Sequence, residues 1–306
     1  MARQRKYNQL QILTIFWQLG RPYLRILWHY PRIFLLSITA IAGSWYSYEV
    51  YYARPAMVYM GIPEAHNKWQ PITWTRIFRN YGFIVGYSDL RGNPLWVSYQ
   101  IHPIPENTPS YKRPPRFRSD WRNLNLITHD TYTHSGYDRG HMAPNYAISH
   151  LYGQKGQLDT FLMTNITPQT KNLNEKLWER LEEVEISYFT KQFGTVWVYT
   201  GPIFDNQTER LTSSSLVEIP NAFYKIYLAP PTQEEQSPKI LAFIMPQQVR
   251  GNEPLDRYVV NVDEIEERTG FNFFPKIENK LQEKLESSID PKPWDLNTVS
   301  RLPARY

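Results

Sequence analysis

The segment "GYDRGHMAPN", residues 136–145, gathers Asp138, Arg139, Gly140 and His141 in one run just ahead of Pro144. Cutting a phosphodiester with water takes a base for the water, positive charge for the phosphoryl oxygens, and a backbone tight enough to fix both. His141 suits the base, because an imidazole with an ordinary pKa of about 6.5 is mostly neutral near pH ~8. Arg139 would bring charge to the phosphate, Gly140 permits close backbone approach, and Asp138 can tie the loop down. On its own the string reads equally well as a salt-bridged turn.

A second block, "MTNITPQTKNLNEKLWERLE" at 163–182, offers Asn165 at a strand end, a Pro-containing loop, and then Asn174 and Glu182. Eight residues of helix rise about 12 Å and leave the two side chains roughly 80° apart, loosely on one side. A neutral amide as sole protein ligand suits Mg²⁺, which prefers oxygen donors and keeps most of its waters, with Mn²⁺ as a substitute. Taken singly, Asn174 also reads as a helix cap and Glu182 as part of a solvated helix face.

These residues need elements to hold them. "LNEKLWERLEEVEISYFTKQF", 173–193, repeats Leu173, Leu177, Leu181, Val184 and Tyr188 at spacings of three and four, which predicts a long helix closed by Gly194. A second helix is expected over 262–269 before Gly270. "FIVGYSD" and "PLWVSYQI" flank the turn "LRGN" and predict a hairpin over 83–101. Further strands are expected at 160–165, 195–201, 222–230 and 239–246, and the tail after 287 reads as loosely packed wrapping. The fold class is α+β, mixed, with a central antiparallel sheet flanked by helices.

The 306 residues carry a net charge of +5, and no cysteine is present, which excludes disulfides, thiolate metal sites and Cys nucleophiles. Arg3, Arg5, Lys6, Arg21, Arg25 and Arg32 precede position 33 without any acid, leaving 28 bases against 29 acids in the remainder. The basic balance therefore belongs to the N-terminal tail. No Gly-x-Ser-x-Gly elbow and no phosphate-binding Gly-Lys-Ser/Thr loop occurs. His129 and His134 lack metal-site spacing, and His66, His102 and His150 read as structural.

Residues 33–48, "IFLLSITAIAGSWYSY", are uncharged and predict an N-terminal transmembrane helix. Snorkelling by Arg32 and aromatic residues at the far end would extend this short stretch towards the roughly 20 residues of a span. The tail would then be cytoplasmic and the rest would lie on the outer, periplasmic or extracellular side. "AIAG" at 40–43 allows a cleaved signal and secretion instead, the basic acid-free start allows a mitochondrial presequence, and a buried helix is the plain alternative. Upstream, residues 10–28 mix apolar residues with Arg as a membrane-surface helix would.

In the order and spacing of "DRGH", "TNITPQ" and "LNEKLWERLE", residues 62–275 resemble the DNA/RNA non-specific endonuclease family. This is the ββα-metal (His-Me finger) group that includes mitochondrial endonuclease G and secreted bacterial sugar-non-specific nucleases. The resemblance implies His141 as general base, Asn174 as the direct Mg²⁺ ligand, and Glu182 hydrogen-bonding the metal's waters. It implies Arg139 and Asn165 holding the phosphate and organising the site around the base. An upstream arginine that stabilises the transition state falls on Arg116, with Arg118 as rival, in "YKRPPRFRSDW", whose cations and aromatics suit a nucleic-acid groove. DNA and RNA are the implied substrates, with 5′-phosphate products, and the membrane, a homodimer and an inhibitor protein are the partners it admits. The organisation expected is a tail over 1–32, an anchor or signal over 33–52, a linker over 53–61, the nuclease domain over 62–286 and a C-terminal tail over 287–306. Two rivals are a catalytically silent module that binds nucleic acid or protein, and a phosphodiesterase acting on a small or lipid-linked substrate.

Overall fold

The computed structural model describes residues 21–23, 27, 29–205, 208–232 and 237–303. It divides into two compact units, Met1–Ala53 and Arg54–Tyr306.

In the first unit a helix runs from Pro31 to Tyr48, started by a proline at its first turn. Its 18 residues reach about 27 Å, short of a bilayer core. Ser37, Thr39, Ser44, Tyr46, Ser47 and Tyr48 dilute its apolar character. Among the described residues no helix is long and apolar enough to cross a membrane. The expected transmembrane helix over 33–52 is thus overturned, and the membrane contact and outer-side placement lose the basis they had. The expected surface helix at 10–28 lies largely outside the described residues, as do Arg3, Arg5 and Lys6.

The second unit is built on a seven-stranded antiparallel sheet. Its strands are β2 (Arg76–Arg79), β3 (Phe83–Ser88), β4 (Asn93–Ile101), β7 (Val196–Ile203), β10 (Ala222–Ala229), β11 (Lys239–Pro246) and β12 (Val259–Val260), in spatial order β12-β11-β10-β7-β4-β3-β2. The predicted hairpin is β3–β4. Both faces are covered, so these strands read as unbroken apolar runs rather than alternating ones. One face packs Phe83, Val85, Val97, Tyr99 and Phe223 against Leu173, Leu177, Leu181 and Val184. The other packs Ile84, Trp96, Tyr199 and Tyr224 against Phe273, Phe274 and the helix Val262–Thr269. That helix ends at Gly270 in the left-handed conformation (φ 75°), as expected.

The long helix over 173–193 forms, with two wide i→i+5 stretches, Leu173–Trp178 and Glu185–Phe189, on either side of Glu179–Val184. Beneath it Glu185 and Lys225 are fully buried as an ion pair of 3.0 Å, with Tyr99 and Tyr227 hydroxyls donating to the same carboxylate at 3.0 and 2.8 Å. The strand expected at 160–165 moves downstream. Thr160 ends the helix Asn145–Thr160, Met163–Asn165 make a tight turn, and the strand β6 is Ile166–Gln169. The C-terminal tail is not loose, because Trp294 is 1% exposed and stacks against Phe189 and Phe193 at 4.9 and 4.5 Å.

Candidate active site

A two-stranded ribbon outside the large sheet carries the motif. β5 (Asp138–His141) pairs antiparallel with β6, Asp138 opposite Gln169 and His141 opposite Ile166. A ribbon this short needs help to hold its shape, and Asn165 supplies it. Its side chain is fully buried: Oδ1 accepts from the Ala143 N–H at 2.8 Å, while Nδ2 donates to the Ala143 and Thr160 carbonyls at 3.0 and 3.1 Å. The turn after His141 is clamped by both ends of one amide. Asn165 thus holds the turn that follows His141, with its amide fully buried.

Alternate residues share a face of a ribbon, as do directly opposed ones. Asp138, Gly140 and Gln169 thus lie on one side, and a Cβ on Gly140 would overlap the Gln169 amide. On this side Asn174 Nδ2 donates to Asp138 Oδ2 at 3.1 Å. A carboxylate only accepts, so the amide oxygen of Asn174 must face the other way, available as a donor to a cation. The Asn174 N–H already bonds the Thr170 carbonyl at 2.9 Å, and no side-chain bond caps this helix start, so Asn174 is not a cap.

Glu182 is partly covered rather than displayed on a solvated face. Burial pushes its carboxyl up to about 8; the Lys225 charge opposes the rise, and Glu185 and Glu179 add to it. An acid in this state gains from a neighbouring cation. Asn174 with Glu182 is accordingly a donor set that fits a hard, well-hydrated metal ion. The other acidic group among the described residues, Asp263, Glu266 and Glu286, belongs to the opposite side of the sheet, where Glu266 accepts the Phe273 N–H.

His141 occupies an aromatic niche. Phe117 and Phe161 each lie at 5.2 Å, the latter edge-on, and at 4.9 Å from one another, so the two rings wall one side of the imidazole. Nε2 is sealed without a hydrogen-bond partner among the described residues, which leaves Nδ1 as the reachable ring nitrogen. Burial, with the nearby Arg113 charge, holds the imidazole down to about 3, so it is neutral at every ordinary pH. Phe117 arrives there because residue 118 pairs with the 161–163 segment: the Arg118 N–H donates to Phe161 O at 2.8 Å and Met163 N–H donates to Arg118 O at 2.9 Å.

The arginines have different partners. Arg116 is exposed and held by Asp130, Nη2 lying 2.7 and 2.6 Å from the two carboxylate oxygens. Arg118 donates to the Leu158 carbonyl at 2.6 Å. Arg139 fixes the preceding turn, donating to His129 O through Nε and Nη2 at 3.0 and 2.7 Å and to Thr133 Oγ1 at 3.2 Å. The cation whose charge reaches His141 is Arg113, its guanidinium 5.4 Å above the Phe161 ring. Sequence alone could not single it out from Lys112, Arg116 and Arg118, since only the pairing with 161–163 decides which cation lies nearest the base.

A family model described as DNA/RNA non-specific endonuclease matches residues 71–280. Human "Endonuclease G, mitochondrial" is 30% identical over 207 residues, covering 64% of this chain and 68% of that protein. "Nuclease EXOG, mitochondrial" of Xenopus laevis is 27% identical over 220 residues, covering 68% of this chain but 61% of the relative, under two thirds of its length. A protein named "Nuclease" from Nostoc sp. is 26% identical over 218 residues, with 68% of this chain and 76% of that one covered. Among solved structures, "Crystal structure of the EndoG/EndoGI complex: Mechanism of EndoG inhibition" superposes with a TM-score of 0.55 at 23% identity, over 67% of this chain and 88% of that one. At that identity the likeness is one of fold.

Proposed function

The chain belongs to the DNA/RNA non-specific endonuclease family and is a nuclease, a phosphodiester hydrolase, and from that premise we propose that His141, Asn174, Glu182 and the arginines around them carry the cleavage. The observation that carries this reading is the Asp138–Asn174 hydrogen bond, which ties the strand bearing His141 to the helix bearing the metal ligand in one rigid frame.

In this reading, neutral His141 accepts the proton of the attacking water at Nδ1, and the Phe117 and Phe161 rings exclude competing solvent from its other edge. The Asn165 clamp fixes the turn so that the ring cannot swing. Arg139 keeps Nη1 free of hydrogen bonds among the described residues and turns it to the phosphate, and Arg113 adds charge beside the base. Asn174 Oδ1 would hold Mg²⁺ directly and Glu182 would hold its waters; when bound, the ion supplies positive charge to the leaving 3′-oxygen. The products carry 5′-phosphates.

Supercoiled plasmid and structured RNA incubated with the wild-type chain should be degraded in Mg²⁺ and spared in EDTA. His141→Ala should lose about two to four orders of magnitude in rate, the scale of a general base. A wild-type protein that binds either substrate without cutting it under any divalent ion would overturn the assignment of these residues. For location, the names of the mitochondrial relatives favour the presequence reading of the acid-free start. A fluorescent protein fused behind residues 1–53 should then be imported by mitochondria, and exclusion from the organelle sinks that reading.

A further inference from the structure

On the side of the 173–193 helix away from Asp138, a cavity of about 540 Å³ opens between the helix, the 251–254 loop and the chain's end. Among the described residues it is lined by Lys176, Arg180, Arg301, Gly251, Asn252 and the apolar surfaces of Pro254, Leu302 and Pro303, none of which carries a side-chain carboxylate. Its volume is that of sites for small organic ligands.

Arg180 gives the cavity a built floor. It is 6% exposed, and its guanidinium donates to three carbonyls, Nε to Leu302, Nη1 to Glu253 and Nη2 to Ser300, each at 2.8 Å. These bonds pin the loop and the C-terminal segment to the helix. A guanidinium has five N–H groups, so two remain once the three bonds are made. No carboxylate lies within ion-pairing distance of Arg180 among the described residues, and Glu253, the nearest candidate, spends its oxygens on the Arg250 and Gly251 N–H groups at 2.8 and 2.7 Å. A buried guanidinium bonded only to carbonyls, with the Glu253 charge acting on it from beyond bonding distance, gains when an anion arrives within bonding reach. Lys176 and Arg301 stand at the mouth to share that anion, Lys176 being lightly tied to Asn172 at 2.9 Å.

We propose that this cavity is a second, non-catalytic site for a nucleoside monophosphate, its phosphoryl group on Arg180, Lys176 and Arg301 and its sugar and base against Pro254, Leu302 and Pro303. The site stands on its own geometry; only the idea that the ligand is a product of this enzyme rests on the nuclease reading above.

The full chain in EDTA, titrated calorimetrically with adenosine 5′-monophosphate, inorganic phosphate and adenosine, tests it. The monophosphate should bind saturably, inorganic phosphate at least roughly tenfold more weakly, and adenosine not at all. Lys176→Ala combined with Arg301→Ala should weaken monophosphate binding by about tenfold or more, while His141→Ala binds as wild type and fails only in cleavage. Absence of saturable binding, binding unchanged by the double substitution, or adenosine as tight as its monophosphate would each overturn the proposal. Phosphate as tight as the monophosphate would reject the nucleoside half of it. Circular dichroism of the double variant, expected to match wild type, separates lost binding from lost fold.

Discussion

The two seats of the proposed chemistry, at His141 and at Glu182, both hold their ionisable group in the uncharged form. His141 is drawn down to about 3 by burial against two rings and by Arg113, and Glu182 is pushed up to about 8 by burial beside Glu185 and Glu179. For a base the neutral form is the working form, so the niche prepares His141 in advance. For an acid meant to hold the waters of a cation the neutral form is idle, so Glu182 waits on the ion. Positive charge brought near both acts oppositely on the two, restoring the carboxylate while depressing the imidazole further. A single bound ion would thus act on both groups in the sense that their proposed roles need.

The contrast breaks most completely at the proposed metal ligand. Asn174→Ala should cost on the order of a thousandfold or more in kcat/KM at saturating Mg²⁺, the scale of removing one stabiliser of the transition-state charge. Fold, read by circular dichroism, should persist because Asp138 remains solvated. A variant still within tenfold of wild type would remove Asn174 from the site.

Next in size is the choice among cations. Arg113→Ala should lower kcat/KM by roughly tenfold to a hundredfold, whereas Arg116→Ala, whose charge Asp130 already absorbs in an exposed pair, should cost only a few-fold. The reverse ranking would return the role to Arg116.

A smaller effect concerns protons. Because Glu182 is protonated up to about pH 8, Mg²⁺ binding at neutral pH should release a proton. Calorimetry in buffers of different ionisation enthalpy reads that release, and Glu182→Gln should abolish it.

The least is a pair of opposed stability slopes. The folded pKa of His141 lies below its ordinary 6.5, so its neutral form contributes stability above 6.5 that is lost as pH falls towards 3. That of Glu182 lies above its ordinary 4.5, so its contribution is present below 4.5 and is lost as pH rises towards 8. Urea titrations of the metal-free protein should therefore show His141→Phe gaining on wild type at the acid end and Glu182→Gln gaining at the alkaline end. Parallel curves for both variants would mean the two environments do not differ as described.

Much of this arrangement is legible in the sequence. The hairpin over 83–101 and the helix over 173–193 follow from period-two and period-3.6 apolar patterns long enough to be unambiguous. The helix Asn145–Thr160 leaves no such trace, because it is polar for much of its length and is broken at Gly153, whose φ is 75°. β6 is only four residues long and contains Pro168, which the period-two pattern penalises. Trp294 hides in a polar, Pro-rich tail, although its burial against Phe189 shows that the segment completes the core. At the proposed site the motifs and the family resemblance picked out His141, Asn165, Asn174 and Glu182, while the nearness of Arg113 to His141 depends on which backbone lies next to which. Residues 33–48 misled in the other direction, since absence of charge resembles membrane affinity until the hydroxyl-bearing residues are weighed.

The two wide stretches of the 173–193 helix are what remains when single residues are inserted into a helix without breaking it. One of them, Glu185–Phe189, lies beyond Glu182 and turns only the distal, core-facing end, whereas the other, Leu173–Trp178, falls largely between Asn174 and Glu182 and sets how the two are turned against each other. An insertion between Asn174 and Glu182 would swing one of them about 100° away from the other. The widened turn at Leu173–Trp178 therefore belongs to the angle between Asn174 and Glu182, and a deletion that restored the regular turn there would undo it.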